Sequence, residues 1–191
     1  YTVYENEYYV PMGFSYDYAV TEEQLSSLTA ASKDRLLLRA LLLSEEDYAS
    51  VSDILSVLPD EEVVNGDYSD EMYFDDCLAR KALSVDSFRY DSYGFTAETS
   101  YDEDRVVFFS VPYESGWSAA VNGEPVQILK GNAGFMAVRV PAGESTISFT
   151  YRTPGLAAGS IISLSALLLL FGYLAVSHFL TKRHGGAPLR A

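Results

Sequence analysis

One cysteine, Cys77, is all the 191-residue chain contains, so no internal disulfide braces it, although a domain outside the cytoplasm could use one. No Asn-x-Ser/Thr acceptor occurs, and together these absences lean toward a bacterial rather than a eukaryotic exterior. Its two histidines, His178 and His184, both lie near the end. Neither histidine can therefore serve an active site built from the first 150 or so residues on the outer side.

The most consequential absence is of charge. Gly155 to Leu180 holds no Asp, Glu, Lys or Arg over 26 residues, and Lys182, Arg183 and His184 follow at once. At about 1.5 Å per residue such a helix reaches roughly 39 Å, enough to cross a hydrocarbon core of about 30 Å. A signal peptide would stand at the other end, and a lipid-replaced tail would finish the chain without the extension Thr181 to Ala191. A transmembrane helix at 155–180 is therefore expected. The basic tail at 181–191 is expected in the cytoplasm and residues 1–154 outside it.

What is abundant is acid. All 27 Asp and Glu precede Pro154 with ten of the 13 Lys and Arg, a net −17 before Pro154 and +3 after it. A surface of that sign repels nucleic acid, which removes that class of partner. The chain opens on Tyr1, without an initiator Met or an export segment, and is expected to be the carboxy-terminal piece of a longer membrane protein.

Along residues 1–84, an aromatic-rich extended opening with a turn at Pro11 and Gly13 precedes short helices. Thr21 with Gln24 forms a capping box and predicts a helix to about Ala31. Asp34 leads RLLLRALLL, a buried helix against a sheet or one lying near a membrane surface. Ser44 caps a helix to Leu58, ended by Pro59, and Ser69 starts a third helix to Leu83 beyond an Asn65-Gly66 turn. Over 85–154 the period becomes two. SFRYD, GFTAETS, RVVFFSVPY, WSAAV, PVQIL, FMAVRV and STISFTY predict an antiparallel β-sandwich of jelly-roll-like character, with turns at Asn122-Gly123, Gly131 and Gly143. The fold class expected is α+β: short helices, the sandwich, then one C-terminal transmembrane helix.

Catalytic residues are unknown from these patterns. Cys77 reads as a small core residue. The acidic clusters Asp67, Asp70, Glu71, Asp75, Asp76 and Asp102, Glu103, Asp104 lack the spacing of a calcium loop and read as solvated faces or caps, so no metal is assigned. Tyr113, Trp117, Asn122, Tyr4 and Asn6 are candidate glycan-binding residues, because aromatic faces edged by amides stack on sugar rings. Core and edge packing is the competing reading for each. Gly155, Gly159 and Ser163 make a small-residue face on which another helix can pack closely.

The order Tyr4-Glu5-Asn6, Val10-Pro11-Met12-Gly13-Phe14, Val111-Pro112-Tyr113, Gly116-Trp117, Val121-Asn122-Gly123, Pro141-Ala142-Gly143 and Tyr151-Arg152-Thr153-Pro154-Gly155 before a last span resembles the carboxy-terminal region of the bacterial YfhO-type membrane proteins. That resemblance implies a polytopic protein similar to the GT-C glycosyltransferases, which take sugar from a polyprenyl-phosphate donor and decorate cell-envelope polymers such as teichoic acids. It implies the lipid bilayer, upstream transmembrane helices and envelope glycan as partners. The donor would serve the full-length protein, with no cofactor held by this stretch and the catalytic part outside it. A non-catalytic, membrane-anchored glycan-binding or scaffold ectodomain is the alternative, and a sensor or adhesion ectodomain a third reading.

Overall fold

Two-residue periodicity from Val85 onward produces two antiparallel sheets packed face to face. The computed structural model describes residues 1–63 and 69–184, so the expected Asn65-Gly66 turn, Asp67 and the tail beyond His184 lie outside the described residues. The chain divides into two units, Tyr1–Arg152 and Thr153–Ala191. In the first unit the elements are β1 (Gly13–Ser15), β2 (Tyr18–Val20), α1 (Glu22–Ser26), α2 (Ala30–Arg39), β3 (Leu41–Leu42), α3 (Glu45–Ala49), β4 (Ser56–Val57) and α4 (Asp70–Ala82). There follow β5 (Ser87–Tyr90), β6 (Gly94–Tyr101), β7 (Arg105–Pro112), β8 (Trp117–Val121), β9 (Glu124–Val126), β10 (Leu129–Gly131), β11 (Phe135–Val140) and β12 (Gly143–Tyr151). The second unit holds one helix, α5 (Leu156–His184).

One sheet runs β5-β6-β12-β8-β9 and the other β1-β7-β11-β10. Their facing sides share a core in which Phe95, Phe149 and Ile147 meet Phe109, Met136 and Val138. Phe95 stacks on Phe149 at 4.5 Å, and Phe109 lies 5.2 Å from each of them. Close strand approach is what makes this stack possible. A Cβ on Gly94 would stand 1.9 Å from the backbone oxygen of Phe149, so only glycine fits there.

The second sheet is covered on its other side too. Val106, Phe108 and Ala137 pack there against Phe14, Tyr16, Leu41 and Leu55, which explains the unbroken apolar run of β7. That covering layer is a small parallel sheet, β3-β2-β4, with its helices. A third cluster of Val20, Leu28, Leu36, Ala40 and Leu58 holds this layer together.

Several expectations change here. The helix from Thr21 ends at Ser26, and Thr29 caps a new one whose last residue is Arg39, so the break falls inside the expected first helix and Asp34 sits within the second. The ALLL portion of RLLLRALLL turns to strand because Leu41, fully buried, pairs with Ala19. Burial from two sides there outweighs helix propensity. Ser44 caps only five helical residues, and Ser56–Val57 joins β2 instead. PVQIL is two strands because the chain crosses between sheets at Gln127 and Ile128. Gly131 ends β10, and the turn itself is Asn132-Ala133-Gly134, with φ of 48°, 64° and 139°. The Asn122-Gly123 hairpin is as expected, with φ of 53° and 84°.

Phe109→Ala is expected to cost about 3–5 kcal/mol, because it opens a cavity between two sheets that cannot collapse onto each other. Urea unfolding of the detergent-solubilised chain measures it. A loss under about 1 kcal/mol would mean that the two sheets do not share this core.

Candidate functional site

The aromatic residues gather where β5, β6, β8 and β12 reach the same end of their sheet. The register pairs Tyr90 with Phe95, Gly94 with Thr150 and Tyr151 with Trp117. Trp117, half-buried, lies 5.1 Å from the Tyr151 ring and 5.7 Å from Phe95. Tyr113 closes β7 at this end, its amide donating to the Gly134 carbonyl at 2.7 Å and its ring lying 4.5 Å under the Lys130 ammonium. Asp91 accepts from the amides of Tyr93 and Gly94 at 2.6 and 2.7 Å, which fixes the β5–β6 turn. Tyr90 and Tyr93 are 67% and 74% exposed there.

Of the five candidate glycan-binding residues, Tyr113 and Trp117 therefore share one end. Asn122 lies at the other end of β8, where its side chain accepts from the Thr146 amide at 2.9 Å and donates to Ser145 at 3.1 Å. It holds a turn. Tyr4 and Asn6 belong to the opening segment, which docks on α4 through Tyr8 stacked on Phe74 at 4.2 Å and Lys81 donating to the Glu7 carbonyl. Asn6 caps its own turn by accepting from the Tyr8 amide at 3.0 Å. Tyr90, Tyr93 and Tyr151 were not among the sequence candidates. Tyr90 is the penultimate residue of SFRYD and Tyr151 the last of STISFTY, and only the pairing register brings those ends together.

A second feature is a cleft of about 320 Å³ at the carboxyl ends of β2, β3 and β4, lined by Val20, Thr21, Leu43, Ser44, Tyr48 and Val57. Such crevices at parallel strand ends often take ligands. Here Glu22, Glu23 and Glu45 edge it, which disfavours any anion, and the Thr21 and Ser44 side chains already cap the two short helices. Among the described residues no three metal-ligating side chains come together.

Polar contacts fasten the layers. Asn132 donates to the Tyr16 hydroxyl at 3.0 Å and accepts from the Leu42 amide at 2.9 Å, while the Tyr16 hydroxyl donates to the Leu37 carbonyl at 2.7 Å. Burial raises the Tyr16 phenol well above its ordinary range, and the Asn132 contact offsets this only in part. Arg80, buried on α4, donates to the Ser15 carbonyl and to Asp17 at 2.9 Å, and Arg105 donates to the other Asp17 oxygen at 3.0 Å. Burial pushes the Asp17 carboxyl up, but the two guanidinium groups outweigh it and hold it below the usual carboxylate range.

In the second unit, α5 contains a stretch of membrane-spanning length, Leu156–Lys182, with mean hydropathy 2.1 in its most apolar window. Gly155, with φ of 77°, precedes it. A Cβ on Gly159 would meet nothing within 4 Å, and Ser163 is exposed, so the small-residue face is open.

The structure of the folded state thus ties Asp17 to two cations, and its stabilising effect has a defined pH window. With the folded pKa depressed, the contribution is complete above the unfolded value of about 3.9 and is lost as pH falls through the folded one. Asp17→Asn should lower stability at pH 7 by about 1–3 kcal/mol, less than for a fully buried pair because Asp17 is partly exposed. It should also flatten the loss of stability below about pH 4, measured by urea melts from pH 7 to pH 3. Parallel acid profiles for both proteins would contradict the assignment.

Comparison with known proteins shows one family likeness. The family model "Bacterial membrane protein YfhO" matches residues 75–163, from α4 through the β5–β12 strands into α5. A curated relative, "Uncharacterized protein YfhO" of Bacillus subtilis (strain 168), is 28% identical over 97 residues, covering 51% of this chain and 11% of the relative. No solved structure matches. The expected α+β class, with antiparallel sheets, a few helices and one apolar C-terminal helix, stands, and over residues 75–163 the chain is similar to the bacterial membrane proteins of the YfhO family.

Proposed function

We propose that the chain supplies the outer β domain and a membrane span of a polytopic bacterial glycosyltransferase that uses a polyprenyl-phosphate sugar and decorates a cell-envelope polymer, teichoic acid being the type implied by the resemblance. The observation that carries this reading is the junction at Tyr151. The last strand of an acidic domain passes within a few residues into an uncharged helix of spanning length. The charge asymmetry and Lys182 after the span support residues 1–154 outside the cell and the C-terminus in the cytoplasm.

In this reading the bilayer surrounds α5, and Gly159 and Ser163, with Gly155 just before the helix, face other transmembrane helices of the same protein. The sandwich positions an acceptor glycan or covers a catalytic cavity built elsewhere in the protein. No catalytic residue is assigned to this chain. The pair Tyr113 and Trp117 favours a second reading, a non-catalytic glycan-binding or scaffold module held at the membrane, because an aromatic pair at a sheet end suits a sugar face.

Membranes containing the full-length protein, given a labelled polyprenyl-phosphate sugar, are expected to transfer label to envelope polymer. Folded protein with no transfer to any such polymer, together with glycan binding that Trp117→Ala abolishes, would replace the transferase reading with the binding module.

A further inference from the structure

We propose that the aromatic end of the sandwich, carrying Tyr90, Tyr93, Tyr113, Trp117 and Tyr151, is a membrane-seating rim that rests in the headgroup zone of the bilayer. The inference depends on α5 crossing that bilayer, and it adds the surface by which the outer domain is held there.

Chain length comes first. From Tyr151 to the first residue of α5 there are five residue steps, which span at most about 17 Å when fully extended. The headgroup layer itself is several ångströms deep. The Tyr151 end of the sheet therefore stays within reach of the interface in any orientation the domain takes. The other end of β12, eight residues away, stands about 27 Å from it along the strand.

Side-chain chemistry comes second. Tyr and Trp concentrate at membrane interfaces because an apolar ring carries a polar tip that stays hydrated. Five such residues converge on this end by strand register, and the two most exposed, Tyr90 and Tyr93, have no place in the core. The Asp91 side chain, accepting two backbone amides, holds the Tyr93 turn rigid, so little ordering is needed on contact.

Charge comes third. At the rim stand Asp91, Glu114, Lys130 and Arg152, with the Asp47 carboxylate of α3 accepting from the Lys130 amide at 3.2 Å. Toward the opposite end stand Asp102, Glu103, Asp104 and Glu144, with Arg105 and Arg139 as their only nearby cations among the strand residues described. An acidic domain whose aromatic end is interspersed with cations presents that end to a lipid surface and turns its denser acids away.

Trp117 is the single tryptophan of the chain, so its fluorescence reports the rim alone. In the full chain reconstituted in phosphatidylcholine vesicles, a headgroup spin-labelled lipid should quench it by about two-fold or more. A Trp117→Phe/Glu124→Trp protein, reporting the far end of β8, should show no such quenching and full access to aqueous iodide. Tyr90→Ser/Tyr93→Ser should lose most of the Trp117 quenching with an unchanged near-ultraviolet circular dichroism spectrum. If that double variant does not fold, the comparison of the two tryptophan positions decides alone. Absence of lipid quenching at Trp117, equal quenching at both positions, or shielding of Trp117 from iodide only when a soluble envelope oligosaccharide is added would each overturn the proposal. None of these readings depends on sugar transfer, so failure of the rim and failure of the transferase reading are separable.

Discussion

The pairing of β12 sets the terms for everything else in the first unit. It is hydrogen-bonded to β6 along eight residue pairs and to β8 along five, and its Ile147 and Phe149 sit in the interface between the sheets. It is also the strand that continues, through Arg152 to Gly155, toward the apolar helix. A strand that is central to a sheet and stacked on a facing sheet does not fray. The connection to the apolar helix therefore leaves from a strand paired on both sides.

The middle sheet, β1-β7-β11-β10, is covered on both faces and passes that order outward to the helical layer. This outer layer is made of strands of two or three residues, too short to hold register by ladder bonds alone. Specific polar contacts complete it: Asn132 fixes β3 and Tyr16, and Arg80 fixes the β1–β2 corner to α4. Because the acids are so numerous, the cations are in demand. Arg39, Arg80, Arg89, Arg105 and Arg139, five of the ten Lys and Arg before Pro154, each meet at least one carboxylate.

Most strands of the sandwich were legible from alternation, and the caps at Thr21, Ser44 and Ser69 were legible from residue type. Those signals are local. The parallel sheet was not, because strands of two or three residues carry no period and Leu41 through Leu43 continue a helical-looking run. Where each cap starts a helix is a local matter, but where the helix stops was decided by burial of Leu41, Leu55 and Leu58, which no local rule contains. The site shows the same division. Tyr113 and Trp117 could be picked out by type, whereas Tyr90, Tyr93 and Tyr151 join them only through antiparallel register. Asn122 carries the right functional group for a sugar contact, yet its amide is spent on a turn.

A domain that faces outward, fixed through its central strand to a span, is the claim on which the account rests. Cys77 is buried, so a cysteine introduced at Asp102, in the loop between β6 and β7, is the accessible thiol of the described domain. Labelling of Asp102→Cys by a membrane-impermeant maleimide in intact cells is the result the account predicts. Labelling only after the membrane is permeabilised would place the acidic domain in the cytoplasm and contradict it.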